Sequence, residues 1–357
     1  MRSCLLQALS SPSSWTDLRY TYAVQDAIEL AQRVASLLDN GRRVATYKLA
    51  LLLALIDACA ELEHPKDEQP VSILELADRV IDLYWPQVRT YDERGQLRQS
   101  TQVRSRVLVA VTSLRGLGPT PASVRRLAPV PYERARLEVA RTLADQPLPA
   151  LQRPGSAFLY DDTWLYDGVT RAELDRRGWQ VVLLPGVADG LVRLSGLLRP
   201  VIERAWTDDV ARLNHLDREH LDLPRFLFGA ERSSLVRAAA ALRELQDDVC
   251  FYCCNRIRGA AHVDHFLPWS RTSFNGLSNL VLADGHCNQA KSDSLAVLEH
   301  RERWAASARR MELEAAGEAL AWPSEWERSQ RLARGLYGRV PAGTPLWQAV
   351  GVYALAT

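Results

Sequence analysis

The chain has 357 residues, of which 47% are hydrophobic and 24% charged, and its formal net charge is +1. That length exceeds one ordinary core, so two or three domains are expected, and the composition excludes a largely disordered chain. The charge excludes a global basic field, so any nucleic-acid contact must come from basic residues gathered locally. Lys48, Lys66 and Lys291 are the only lysines, a bias toward arginine that reads as GC-rich coding and not as DNA recognition.

Six cysteines stand at Cys4, Cys59, Cys250, Cys253, Cys254 and Cys287. Met1–Ser10 does not read as a secretory signal. Clustered cysteines in a cytosolic chain point to metal ligation more than to disulfides. The longest apolar run, Leu49–Ile56, falls far short of the roughly 20 residues a membrane span needs. A soluble cytoplasmic protein with no membrane partner is expected.

Residues 20–62 predict two helices. Ala23, Ala27, Leu30, Ala31 and Val34 keep helical spacing, and Asn40-Gly41 ends the first. Thr46 is placed to cap the second, Tyr47–Leu62, whose apolar residues run nearly all round and predict a central position. Pro70–Tyr84, Gln102–Leu114, Pro121–Leu127 and Pro131–Leu143 follow as helices. Between Arg94 and Arg141 ten arginines face only Glu133 and Glu138. That excess reads either as a phosphate-binding face or as helix faces answered by acids from the acidic segment 21–93.

Gln146–Gly155, rich in proline, is the expected linker. Ala157–Tyr160, Thr163–Tyr166 and Gln180–Leu184 have strand-like content, broken by Pro185-Gly186. Val187–Leu213 predicts a helix kinked at Pro200, and Ser233–Leu245 another that leads into the cysteine cluster. Asp293–Ala316 predicts a further helix. Trp322, Trp326, Tyr337 and Trp347 in the tail are expected to anchor it on the core.

The chemistry concentrates in one segment. It runs Cys250-x-x-Cys253-Cys254, then His262-Val-Asp264-His265, then Asn279-Leu-Val-Leu, then Asp284-Gly-His286-Cys287-Asn288 and Lys291-Ser-Asp293. His262–Phe266 and Asn279–Ala283 read as strands around a loop, with a helix after Gly285, giving a ββα unit. Asp264 and His265 are strand neighbours and point to opposite faces unless the strand ends there, as Pro268 suggests. Phosphodiester cleavage needs a base, a cation and a stabilised leaving oxygen. His265 suits the base, and Asp264 and Asn288 offer oxygen ligands for a hard ion.

This segment resembles the HNH nuclease family, whose order Cys-x-x-Cys, Asp-His, Asn, Asn-x-x-Lys is far more specific than any of its parts. The nuclease domain of RNA-guided CRISPR effectors is similar. The resemblance implies a ββα-metal fold with an H-N-N site. His265 would be the base, Asn279 would brace the loop, and Asp264 and Asn288 would hold one magnesium or manganese ion. Lys291 and His262 are candidate nucleic-acid contacts, against the plainer readings of helix-surface charge and strand polarity. Cys250-x-x-Cys253 has zinc-knuckle spacing. Cys287 is the third expected ligand, and the fourth stays open between Asp284, where the family carries cysteine, and His286, with Cys254 as a further option. A small buried thiol cluster without metal is the alternative.

The expectation is a mainly α-helical protein with a small α+β module. It divides into a helical domain at 1–146 for DNA or partner binding, a mixed region at 156–244, an HNH nuclease domain at 245–300 and a C-terminal helical extension at 301–357. The expected activity is metal-dependent cleavage of DNA, most simply double-stranded, with defence against phage or foreign DNA as the role the resemblance suggests. The helical region would meet a protein partner or a second copy. Two rivals remain: an inert zinc-stabilised DNA-binding or regulatory protein, and an RNA-cleaving enzyme of the same family.

Overall fold

The computed structural model describes residues 27–39, 43–63, 68–102, 105–152, 156–166, 168–216, 222–229 and 232–357. Met1–Ser10, Cys4, Ala23, Asn40-Gly41 and positions 153–155 of the expected linker lie outside them.

The order is α1 (Ala27–Asp39), α2 (Tyr47–Ala60), β1 (Gln69–Ser72), α3 (Ile73–Tyr84), α4 (Arg106–Arg115), α5 (Pro121–Leu127), α6 (Pro129–Asp145) and α7 (Pro147–Leu151). Then come α8 (Arg171–Arg176), β2 (Gln180–Leu183), α9 (Val187–Arg193), α10 (Ser195–Leu213), α11 (Leu223–Phe228) and α12 (Arg232–Leu245). The last part holds β3 (Ala261–His265), β4 (Leu280–Asp284), α13 (Gly285–Lys291), α14 (Leu298–Trp304), α15 (Ser307–Ala319), α16 (Trp326–Tyr337), β5 (Pro345–Ala349) and β6 (Val352–Leu355). The chain is therefore mainly helical, with only two-stranded sheets among the described residues. Among those residues no helix is long and apolar enough to cross a membrane.

α2 is central because it is apolar all round. It packs against α3, α7, α9, α10 and α16, and its residues are buried from Tyr47 to Ala60 except Lys48. Thr46 stands at its N-cap, but its hydroxyl does not cap the helix. It bonds Tyr84 and Gln99 instead, at 2.6 and 2.9 Å, because the helix start is buried and those polar groups need partners. α16 reaches the end of α2 through Gly335, where a Cβ would lie 1.9 Å from the Ala60 carbonyl oxygen.

Several boundaries differ from the sequence reading. Gln69–Ser72 is not helical: it pairs antiparallel with β2, and the Ser72 hydroxyl caps α3 at the Glu75 N–H. Of the three strands expected after the linker only Gln180–Leu183 forms; Tyr160 makes a single bridge to Leu183, and Thr163–Tyr166 is a turn. The expected kink at Pro200 is a break at Leu194, and Pro200 sits inside α10, as its sixth residue, where it leaves the Gly196 carbonyl without its helical donor. The expected helix from Asp293 to Ala316 is two, α14 and α15, divided at Ala305-Ala306. The expected linker carries α7, with Leu148 and Leu151 buried.

One core runs from Leu30 to Trp347 and so crosses that stretch. A smaller one joins α12, β4 and α15 through Leu242, Leu280, Leu282 and Leu313. Trp322, Trp326, Tyr337 and Trp347 are all buried, as anchors would be. The tail adds a hairpin, β5–β6, to its helices, so the last part of the extension expected to be helical is strand. Its Trp347 bonds back to Leu295 and Val297 through the backbone and fixes the chain that leaves α13.

Candidate active site

β3 and β4 pair antiparallel with Asp264 opposite Val281 and His265 opposite Leu280. α13 follows at once, because Asp284 ends the strand and caps the helix. Its Oδ1 accepts from His286 N and Cys287 N, both at 2.9 Å. This is the expected ββα unit.

Asn279 braces the loop between the strands. It is fully buried. Its side chain accepts from Leu267 N at 2.8 Å and donates to the carbonyls of Leu267 and Phe274, each at 3.1 Å. The amide thus satisfies three backbone groups of a loop that has no ladder of its own.

The braced loop presents Asn275, whose Oδ1 lies 2.9 Å from His265 Nε2. With an oxygen opposite it, Nε2 carries the proton and Nδ1 keeps a lone pair. The ring also leans on Trp269, with centroids 5.1 Å apart. Burial pushes the imidazole below its ordinary value, against the Asn275 bond and the Asp264 charge. A neutral ring with a free nitrogen is what a general base requires.

Asp264 is held differently. Its Oδ2 accepts from Tyr252 at 2.5 Å and pairs with Lys291 Nζ at 2.9 Å. Lys291 is 0% exposed and also donates to the His265 carbonyl at 2.9 Å. The sequence reading of Lys291 as a nucleic-acid contact is therefore corrected. Its ammonium is a buried partner of Asp264 and cannot reach a phosphate. His262 is exposed; its Nδ1 lies 3.3 Å from the Asn288 amide nitrogen, and its ring lies over Gly285.

β3 thus faces α13 with His262 and Asp264, met by Asn288 and Lys291 one turn apart. His265, next along the strand, faces the loop. β3 ends at His265, as Pro268 suggested, but it still includes both residues, so their side chains take opposite faces. The donor set suits a hard divalent ion: Asp264 keeps Oδ1, and Asn288 keeps its amide oxygen. The ammonium of Lys291 is a competing cation beside them.

The thiol site is more compact. One ligand atom each from Cys250, Cys253, Asp284 and Cys287 lies within 4.8 Å of all the others. This gathers three thiols and a carboxylate, the number a tetrahedral ion takes. Of the candidates for the fourth place that the sequence left open, Asp284 is the one gathered with the three thiols. Oδ1 serves the helix cap, while Oδ2 lies 3.2 Å from Cys253 Sγ. His286 and Cys254 are exposed and outside the cluster. Burial resists ionisation of Asp284, but the Cys287 N–H and the neighbouring thiols outweigh it and bring the carboxyl down to about 2. Burial and the crowding of Cys250 push the Cys287 thiol up, a cost that a bound cation would reverse.

Three residues of the site carried no motif in the sequence. Trp269 and Asn275 come from the loop, and Arg225 on α11 lines the cleft that opens onto His265. Only their closeness to the Asp-His pair could have pointed to the first two. The arginine-rich segment is partly answered by acids: Asp78 pairs with Arg125 at 2.7 Å and Arg136 at 3.0 Å, and Asp145 with Arg106 at 3.5 Å.

A ββα unit with a braced histidine and a cluster of three thiols and a carboxylate defines a module of the HNH class, and residues 250–297 match the model of the HNH endonuclease family. Residues 27–226, more than half of the chain, match the model of a domain of unknown function (DUF8808), and the chain belongs to that family. No curated protein and no solved structure matches the chain.

Proposed function

We propose that this protein is an endonuclease that hydrolyses DNA, with a magnesium or manganese ion held by Asp264 and Asn288 and a structural zinc held by Cys250, Cys253, Asp284 and Cys287. The observation that carries the reading is His265, a half-buried imidazole whose Nε2 is fixed on Asn275 and whose Nδ1 is left free. His265 takes the proton of the attacking water at Nδ1. Asn279 holds the loop that fixes the ring. Arg225 at the cleft, and His262 beside Asn288, are placed for the phosphates on either side. The ion, when bound, supplies positive charge for the phosphate and the departing 3′ oxygen.

The helical region through residue 146 and the mixed region at 156–244 select the substrate, a protein partner or a second copy in this reading. Residues 245–300 cut, and 301–357 pack over them. A cytoplasmic setting belongs to the same proposal, since thiol ligands persist where thiols stay reduced. Defence against foreign DNA is included by family analogy, and degradation of phage DNA by the purified protein tests it.

Plasmid cleavage with magnesium, with EDTA and with His265→Ala is the test. Magnesium-dependent nicking by the wild type and its loss in the variant are expected. If wild type and variant cut alike, the catalytic assignment is wrong.

A further inference from the structure

A cavity of about 120 Å³ lies between the helical region and the loop that follows His265. Trp85, Phe228, Trp269, Phe274 and Trp322 are among its walls, and its acids are Asp82, Glu203 and Glu325. A more open cleft adjoins it, shares Glu203, Phe228, Gly229 and Trp269 with it, and adds His265 and Arg225. A path thus leads from the base and an exposed arginine into an aromatic, acidic recess.

Glu203 is the unsatisfied group in this recess. Its Oε1 is buried and makes no hydrogen bond. The nearest cation is Arg199, whose Nη1 lies 3.7 Å away, beyond hydrogen-bond reach, and is itself without a hydrogen-bond partner, while its Nη2 bonds Asp57. A buried acceptor without a donor is costly, and a ligand N–H would relieve it.

We propose that this recess receives one unstacked nucleobase of the strand being cut, and that Glu203 favours a base with an exocyclic amino group. The proposal rests on the nuclease reading above. Size is compatible: at roughly 10–15 Å³ for a water, the space has room for several, enough for one flat heteroaromatic ring. Aromatic walls are the surfaces on which bases stack. Adenine, cytosine and guanine each offer amino N–H groups to a carboxyl, whereas thymine brings a methyl and a single N–H. Arg328 also lines the recess, but Asp82 and Glu325 of the same wall engage it at 3.1 and 3.5 Å, so its charge does not invite a phosphate, which instead has Arg225 at the mouth. Burial, opposed by Arg199, also raises the Glu203 carboxyl to about 7, so it can donate as well as accept near neutral pH. A base inside a duplex cannot enter, so the substrate at this point is single-stranded or locally opened.

The test uses the full chain on random-sequence DNA, with the new ends sequenced. At one fixed position beside the cut, adenine, cytosine or guanine is expected over thymine by about fivefold or more. Glu203→Leu is expected to erase that preference while cutting persists. A wild type without base preference, or a leucine variant that keeps it, overturns the proposal and leaves the nuclease reading intact. Should Glu203→Leu fail to fold, Glu203→Gln is read the same way. Its amide cannot accept from two adjacent N–H groups, so guanine is expected to drop, and an unchanged distribution overturns the proposal.

A second arm does not need cleavage. Binding of a fluorescent single strand in EDTA is expected to weaken about tenfold when one abasic site replaces the base at that position, or the base at each position in turn if no cut is seen. Equal binding at every position overturns the recess. Failure of the nuclease reading shows separately, as no cutting by wild type with any divalent metal.

Discussion

Ser273, in the loop that fixes His265, donates a 3.1 Å hydrogen bond to Asp57 Oδ2 on the central helix, 216 residues earlier in the chain. Asp57 is buried and paired with Arg199, which is 0% exposed. Arg271 of the same loop lies over Gly196 of α10, where a Cβ would come within 2.9 Å of its guanidinium carbon. The helical region therefore holds the nuclease loop from outside, while Asn279 holds it from inside.

Ser273→Ala removes the outer bond alone. A cost of about 1 kcal/mol is expected, seen as a roughly fivefold fall in single-turnover cleavage with the melting curve nearly unchanged. Asp57→Asn is expected to act on the fold instead. It leaves the buried Arg199 charge without its hydrogen-bonded carboxylate, with only Glu203 at 3.7 Å, at a cost of about 3–5 kcal/mol in denaturant unfolding. If the two variants lose the same stability, the loop and the core are not separately held.

Asn279→Ala strips three bonds from the loop backbone and leaves the Leu267 N–H and two carbonyls without partners. With about 1–3 kcal/mol for each buried group left unpaired, cleavage should fall at least about a hundredfold. Magnesium titration of the residual activity is the check. Since Asn279 touches no ion, the metal concentration for half-maximal rate should not move.

Lys291→Met leaves the Asp264 carboxylate with Tyr252 as its remaining partner. A loss of about 3 kcal/mol in stability is expected in EDTA, because one member of a buried ion pair has gone. Manganese should restore part of it, as a cation can then enter without displacing an ammonium. The readout is the melting temperature with and without manganese, compared with wild type. If manganese shifts both proteins equally, Lys291 does not compete for the ion site.

At the thiol site, ligation and capping can be separated. Asp284→Asn keeps an oxygen for the His286 and Cys287 N–H groups but removes the charge, so zinc content should fall while α13 survives. Asp284→Cys should retain zinc and lose the cap, worth about 1 kcal/mol. Metal content by mass spectrometry, beside Cys250→Ser as the emptied control, decides. Full zinc in Cys250→Ser removes that residue from the ligand set.

The site residues were legible because their order along the chain is chemistry that a short ββα unit can assemble locally. His265, Asn279 and Cys250 to Cys287 needed no distant partner to be found. What the sequence hid was long-range. Nothing at Ser273 announces Asp57, and Lys291 looked like surface charge because helix position alone does not reveal a burial beside Asp264 and the Tyr252 ring. The same holds for the fold. Central α2 was readable from its apolar residues all round, whereas Gln69–Ser72 became a strand only because Gln180–Leu183 lies beside it. Asp284 was legible as an anomaly, and its second job as a helix cap explains why its carboxylate is fixed in the cluster.

Glu203 gives a pH test of the same interface. Its ordinary value is 4.5, and burial raises it to about 7, with Arg199 opposing and Asp57 reinforcing the shift. The folded state therefore holds the proton more tightly than the unfolded chain. Below the unfolded value both states are protonated and the contribution is whole. As pH rises from 4.5 toward 7 the unfolded chain ionises first, and stability declines; above the folded value the decline is complete. The full swing is about 3 kcal/mol at about 1.4 kcal/mol per unit. The side chain is 20% exposed, so solvent screening trims this only modestly. Glu203→Gln has no proton to lose and should flatten that slope, so that the variant gains on wild type between about pH 5 and pH 8. Denaturant unfolding of both proteins at the two pH values measures it, and other titrating groups cancel in the difference. Parallel slopes would mean that Glu203 ionises freely in the folded protein, and that the recess beside His265 is wet enough to solvate a carboxylate.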